Sequence, residues 1–236
     1  MKSVHYQNVG FPRSGTTWLW KSLINNPKIF KSNNFVKTRN FVINNKEPRF
    51  KKWTTENIEN RIPKDTTPII EKYREYDISM CFNTFDFLCN KEEISRIESY
   101  TTHVSLTLRN PFDTVSNYHA YTRVVLPEGS QSKYTVDYLI DIFDFSNTVE
   151  KWLLFKHKFK ILVYDDLLND SHNYYKEVCD FIGVESNNCI PEKINSVVTP
   201  EYTPIIFTDD QTIKLNNHID KLSDLIKRDF THWKVK

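Results

Sequence analysis

Apolar residues in this chain follow two rhythms. Short, nearly continuous or alternating runs lie at the start of the chain, at Asp77–Phe82, at Val104–Arg109 and at Lys160–Leu167, and they read as strands. Between and after them, apolar positions return every three or four residues and read as helices. These cover Thr16–Asn25 (Trp18, Leu19 and Leu23 inward), Thr54–Arg61, Lys91–Ser99, Thr135–Phe155, Asp170–Ile182 and Asp209–Phe230. Asn25-Asn26-Pro27 stops the first of these helices, and Gly183 closes the one before it as a C-cap. Residues 28–45 are mixed, 63–68 and 126–132 read as loops, 184–208 are irregular and proline-punctuated, and Thr231-His232-Trp233 is a tail. Strands alternating with helices predict an α/β fold. The expected architecture is one three-layer α/β/α domain over residues 1–236, with a central parallel sheet covered on both faces.

Composition narrows the function classes only a little. A net charge of +2 and a pI near 8.2 over 236 residues give no bulk argument for nucleic acid. The basic, aromatic stretch Pro48–Trp53 reads as a solvated face. Cys81, Cys89, Cys179 and Cys189 form no C-x-x-C pair and no metal-ligand spacing, so reduced thiols are expected and no metal site. No apolar run reaches the length of a membrane span, and the first strand begins almost at Met1, where a signal peptide has no room. The expectation is a soluble cytoplasmic protein, with neither nucleic acid nor membrane as a partner.

The stretch Gly10-Phe11-Pro12-Arg13-Ser14-Gly15-Thr16-Thr17 changes the picture. It lies between a strand and a helix and has the outline G-x-x-x-x-G of a phosphate-binding loop, and it holds two of the chain's four glycines. A helix N-terminus offers unpaired amides and partial positive charge to an anion. The nucleotide-triphosphatase form of this loop places Lys after the second Gly, where this chain has Thr16; its cation, Arg13, sits inside the loop instead. There an arginine can fork onto a phosphate or sulfate where a bond breaks. The plain alternative is a glycine turn that binds nothing.

A second segment, Leu108-Arg109-Asn110-Pro111, ends a strand and opens a helix, with Asn110 as N-cap and Pro111 in the first turn. Arg109 then stands at the carboxyl end of a strand, the edge at which open parallel sheets bind ligands. Taken alone it reads as a salt bridge. Beside the glycine loop it makes a second anion contact for one ligand.

Together, P-R-S-G-T-T-W-L at residues 12–19, L-R-N-P at 108–111 followed by Ser116, and Tyr164-Asp165-Asp166-Leu167 resemble the PAPS-dependent sulfotransferases. The resemblance implies PAPS as co-substrate, PAP as product, and metal-independent in-line transfer of a sulfuryl group to a hydroxyl or amine of a glycan, lipid-linked sugar or small metabolite. Pro12, Arg13, Ser14, Gly15, Thr16 and Thr17 would hold the 5′ end, with Arg13 catalytic; Trp18 would lie on the adenine or in the core. Arg109 and Ser116 would hold the 3′-phosphate, although the family's serine falls one residue later, where this chain has Asn117. The family's glutamate base is also absent, Thr38 following Lys37 in its place. Asp86, just past a central strand, and His119, two turns into the helix after Arg109, are the candidate bases, while His103 belongs at the opposite end of the sheet. Two rivals remain. One is a P-loop nucleotide kinase or ATPase with Asp165 on Mg²⁺; the other is a PAP- or PAPS-binding protein without catalysis.

Overall fold

The computed structural model describes residues 4–26, 67, 78–83, 86–125, 131–186 and 205–235. The helix expected at Thr54–Arg61, the stretch 28–45 with Lys37 and Thr38, the basic run Pro48–Trp53, Cys189, and most of the segments 63–68, 126–132 and 184–208 lie outside the described residues.

Four parallel strands stand in the order β2-β1-β3-β4: β1 (Val4–Gly10), β2 (Ile78–Asn83), β3 (His103–Leu108) and β4 (Lys158–Val163). Tyr6 pairs with Met80 on one side and His103 on the other, and Gly10 pairs with Thr107. β3 is buried along its length and β1 from Tyr6 onward, as strands covered on both faces are. On one face Val9, Val104, Leu106, Leu108 and Val163 pack against α2 (Lys91–Glu98), α3 (Pro111–Val125), α4 (Val136–Phe143), α5 (Phe145–Trp152) and α8 (Asp209–Ile226). On the other, Tyr6, Met80 and Leu162 pack against α1 (Thr16–Ile24), α6 (Tyr164–Asn169) and α7 (Ser171–Ile182). This is the three-layer α/β/α arrangement expected from the alternation.

A buried polar ladder crosses between β1 and β3 on the second face. Ser105 Oγ meets Tyr6 Oη at 2.5 Å and accepts from Asn8 Nδ2 at 2.8 Å. With every group paired, the ladder sits in the core without the penalty of an orphaned dipole.

Three boundaries differ from the sequence expectation. The helix over Thr135–Phe155 is two helices, because Asp144 takes a left-handed conformation (φ 35°) that ends α4 and begins α5. β4 stops at Val163, so Asp165 and Asp166 fall in the first turn of α6, where carboxylates offset the helix dipole. α8 stops at Ile226 because Lys227 (φ 58°) breaks it, and Thr231–Trp233 forms a separate 3₁₀ turn.

Candidate active site

β1 delivers the loop at the carboxyl edge of the sheet. Gly10 lies so close to β3 that a Cβ there would come within 2.1 Å of Thr107 Oγ1. Phe11 N donates to the Thr107 carbonyl at 3.2 Å, and its ring is fixed by Phe145 and Phe87 at 4.6 and 5.1 Å between centroids. Pro12 is buried. Arg13 adopts a left-handed backbone (φ 66°), which costs a non-glycine residue on the order of 1–2 kcal/mol. Ser14 Oγ donates to the Phe11 carbonyl at 2.5 Å and closes the loop. Gly15 (φ 85°) then turns the chain into α1 over Tyr164 and Leu167, whose side chains would meet a Cβ at 3.0 and 2.8 Å.

Thr16 is buried at the start of α1, while Thr17 faces solvent. Side chains of Asn90, Thr135, Asp170 and Thr208 cap α2, α4, α7 and α8. Gly15 offers α1 none, so its first amides keep their hydrogen-bonding capacity for a ligand.

Two cations converge on this loop. The Arg13 guanidinium lies 5.6 Å from the centroid of the Tyr121 ring, and among the described residues no carboxylate pairs with it. Burial pulls its pKa down from the usual value, Tyr121 opposes that shift, and nearby Arg109 adds to it. A partly desolvated cation with no counter-ion among the described residues is poised for an anion. Arg109 stands at the end of β3, as its position in the sequence predicts. Its Nη1 donates to the Arg13 carbonyl at 3.0 Å, its Nη2 to Asp113 Oδ2 at 3.1 Å, and its guanidinium lies 4.6 Å over the Tyr164 ring. Among the described residues Arg109 Nε is buried without a hydrogen-bond partner.

The acids after β4 face the other way. Asp165 Oδ2 accepts from Trp233 Nε1 at 2.7 Å and lies 3.1 Å from His232 Nε2, and Asp166 takes both terminal nitrogens of Arg228. Both carboxylates are therefore committed to the C-terminal segment. Among the described residues no three acids, histidines or cysteines gather as a metal-holding group.

The remaining expected site residues are dispersed. Trp18 is half-buried, edge-on to Tyr174 at 6.2 Å, and packs with the α1–α7 cluster. Asp86, expected to face an acceptor, is instead 1% exposed at the head of a 3₁₀ turn and accepts from Gln7 Nε2 at 2.6 Å. Its strand, β2, stands at the end of the described sheet and not at its centre. His119 accepts from Arg123 Nη2 at 3.2 Å, and burial followed by Arg123 lowers its pKa. It lies about 200° around α3 from Tyr121, so the two rings face opposite ways. Neither candidate base meets Arg13. His103 lies at the amino edge of β3, as expected.

α3 also separates Ser116 from its neighbour. Asp113, Asn117 and Tyr121 follow one another at four-residue steps and share a face, the first bonded to Arg109 and the last under Arg13. Ser116 is about 100° away from Asn117 and buried. Asn117 is thus the residue set between the two arginine partners. Sequence reasoning missed Tyr121 and the C-terminal clamp. The first carries no signal beyond its four-residue spacing from Asn117; Tyr164 was visible in the Tyr164-Asp165-Asp166-Leu167 run.

A family profile described as a sulfotransferase domain matches residues 8–234. Among solved structures, a sulfotransferase from Alicyclobacillus acidocaldarius aligns over 99% of both chains at 17% identity, with a TM-score of 0.62. A mouse sulfotransferase solved with PAP aligns over 97% of this chain and 89% of its own at 13% identity (TM-score 0.57). A sulfotransferase domain from a Synechococcus olefin synthase covers 94% and 96% at 11% identity (TM-score 0.56). No curated protein matches the sequence.

Proposed function

The chain belongs to the sulfotransferase domain family, and from that premise we propose that it transfers a sulfuryl group from PAPS to a hydroxyl or amine of a glycan or small-molecule acceptor. The observation that carries this reading is the Arg13 guanidinium, paired with no carboxylate among the described residues and held in the loop beside the uncapped start of α1. The amides of Ser14–Thr17 would bind the 5′-phosphosulfate, with the Thr17 hydroxyl open to add a bond. Arg13 would stabilise the charge that builds on the bridging oxygen as the sulfur–oxygen bond breaks and a new one forms to the acceptor. The positive charge of Arg109 would supply the 3′-phosphate contact, with Asn117 on the same side of α3, where its Nδ2 donates to the Asp113 carbonyl at 2.7 Å. Asn117 takes the place first given to Ser116.

The kinase reading loses support. Asp165, its candidate Mg²⁺ ligand, is bonded to Trp233 and His232, and position 16 holds Thr. The dispersal of Asp86 and His119 favours a second reading, a PAP-binding protein without turnover. Thermal stabilisation by PAP, and by ATP with and without Mg²⁺, tests the donor. Stabilisation by PAP without metal is the expected result; stabilisation only by ATP with Mg²⁺ overturns the reading. Labelled PAPS and an acceptor panel then separate transferase from binding protein: label must reach an acceptor.

A further inference from the structure

Arg109 has two of its three nitrogens committed to the protein. One terminal nitrogen holds the carbonyl of Arg13 at 3.0 Å, the other is pinned by Asp113 at 3.1 Å, and the flat of the group rests on Tyr164, whose ring also braces Gly15. The carbonyl it holds belongs to the one loop residue other than glycine in the left-handed region. A non-glycine residue persists in that region where its surroundings hold it, and the bond from Arg109 is one such hold.

From this geometry we propose that Arg109 is a positioning residue for Arg13. It locks the apex of the loop so that the reacting-end cation is aimed before any ligand arrives. The inference rests on the donor reading above and deepens it. A ligand for the 3′-phosphate acts only when a 3′-phosphate is present, whereas a strut under the loop acts on any ligand of the loop. The two roles therefore separate with a pair of nucleotides, PAP and adenosine 5′-phosphate, the second of which lacks the 3′-phosphate.

The full chain and its Arg109→Gln and Arg109→Lys variants are titrated calorimetrically with both nucleotides. Positioning predicts that Arg109→Gln weakens adenosine 5′-phosphate about tenfold or more, as losing a hydrogen bond from a charged donor does. Arg109→Lys should not restore it, because a single ammonium cannot span the Arg13 carbonyl and Asp113 together. PAP weakened with adenosine 5′-phosphate held within twofold overturns the proposal and leaves Arg109 a 3′-phosphate ligand alone. Asp113→Asn guards against misfolding. Its side chain is 56% exposed, so the fold should survive. Release of the fork should still weaken adenosine 5′-phosphate by about threefold, and no change there also overturns the proposal. With PAPS saturating, kcat should fall in the same variants while folded fraction by circular dichroism stays constant; an unchanged kcat with raised KM counts against it. If the unaltered chain binds neither nucleotide, the donor reading fails and this inference with it.

Discussion

Asp166 takes both terminal nitrogens of Arg228, at 2.6 Å each, and so fastens the C-terminal segment to the first turn of α6. The neighbouring bond from Trp233 to Asp165 and the Phe230–Trp233 stack at 4.1 Å complete the attachment. Both side chains of the pair are about two-fifths exposed, so solvent screens it. Asp166→Asn should cost no more than about 1 kcal/mol, or about 2–4 °C in Tm. Amide exchange should quicken at Phe230–Trp233 before anywhere else. Unchanged protection there would mean that the ring stack alone holds the segment.

Arg13→Ala should lower kcat by about 10²–10³ at saturating donor while PAP affinity changes little, because the developing charge is greatest in the transition state. Arg13→Lys should recover only part of that loss. Near-normal turnover in Arg13→Ala would remove this residue from the chemistry.

At Gly10 the close approach of β3 leaves no room for a methyl group. Gly10→Ala should destabilise the chain by about 1–3 kcal/mol in denaturant titrations. Adding Thr107→Ala, which deletes the nearest atom, should return part of that loss; a pair no better than the single change would place the clash in the backbone.

Burial, with Lys158 second, holds the His103 pKa down to about 4, against a usual 6.5. The folded state therefore resists a proton that the unfolded state accepts. Stability from this residue is complete above pH 6.5 and falls as the pH drops to about 4. Burial shifts His5 and His218 in the same direction. His103→Asn should flatten the stability profile between those limits, and an unaltered slope would assign the acid sensitivity to the others.

Asp86→Ala should leave Gln7 Nε2 unpaired in the core and cost about 1–3 kcal/mol, with turnover per folded molecule maintained. A hundredfold loss of kcat in the folded fraction would identify Asp86 as the base.

The features legible in the sequence were those settled by neighbours along the chain. The loop between Gly10 and Gly15 and the Asn110-Pro111 helix start each depend on the conformational limits of a few adjacent residues, and both stand where expected. The alternation of strands and helices carried the layer architecture. What escaped were relations across the fold. Asp86 is claimed by Gln7 on another strand, and no pattern near residue 86 announces that. Asp165 and Asp166 read as the end of a strand until Arg228 and Trp233 come from the far end of the chain to meet them. The proposal of Asn117 in place of Ser116 rests on rotation about α3, which only its contacts with Arg109 and Arg13 reveal.

The buried ladder of Tyr6, Asn8 and Ser105 acts as a ruler for events at the sheet's edge. Were β1 to slip one residue along β3, Asn8 would turn to the opposite face and lose Ser105, and the loop would move about 3.3 Å relative to Arg109. That displacement is larger than the tolerance of the bond between Arg109 and the Arg13 carbonyl. The spacing of the two cations proposed to meet the ligand is thus gauged by uncharged side chains in the interior, and a substitution at buried Ser105 is felt as a misaligned pair of arginines.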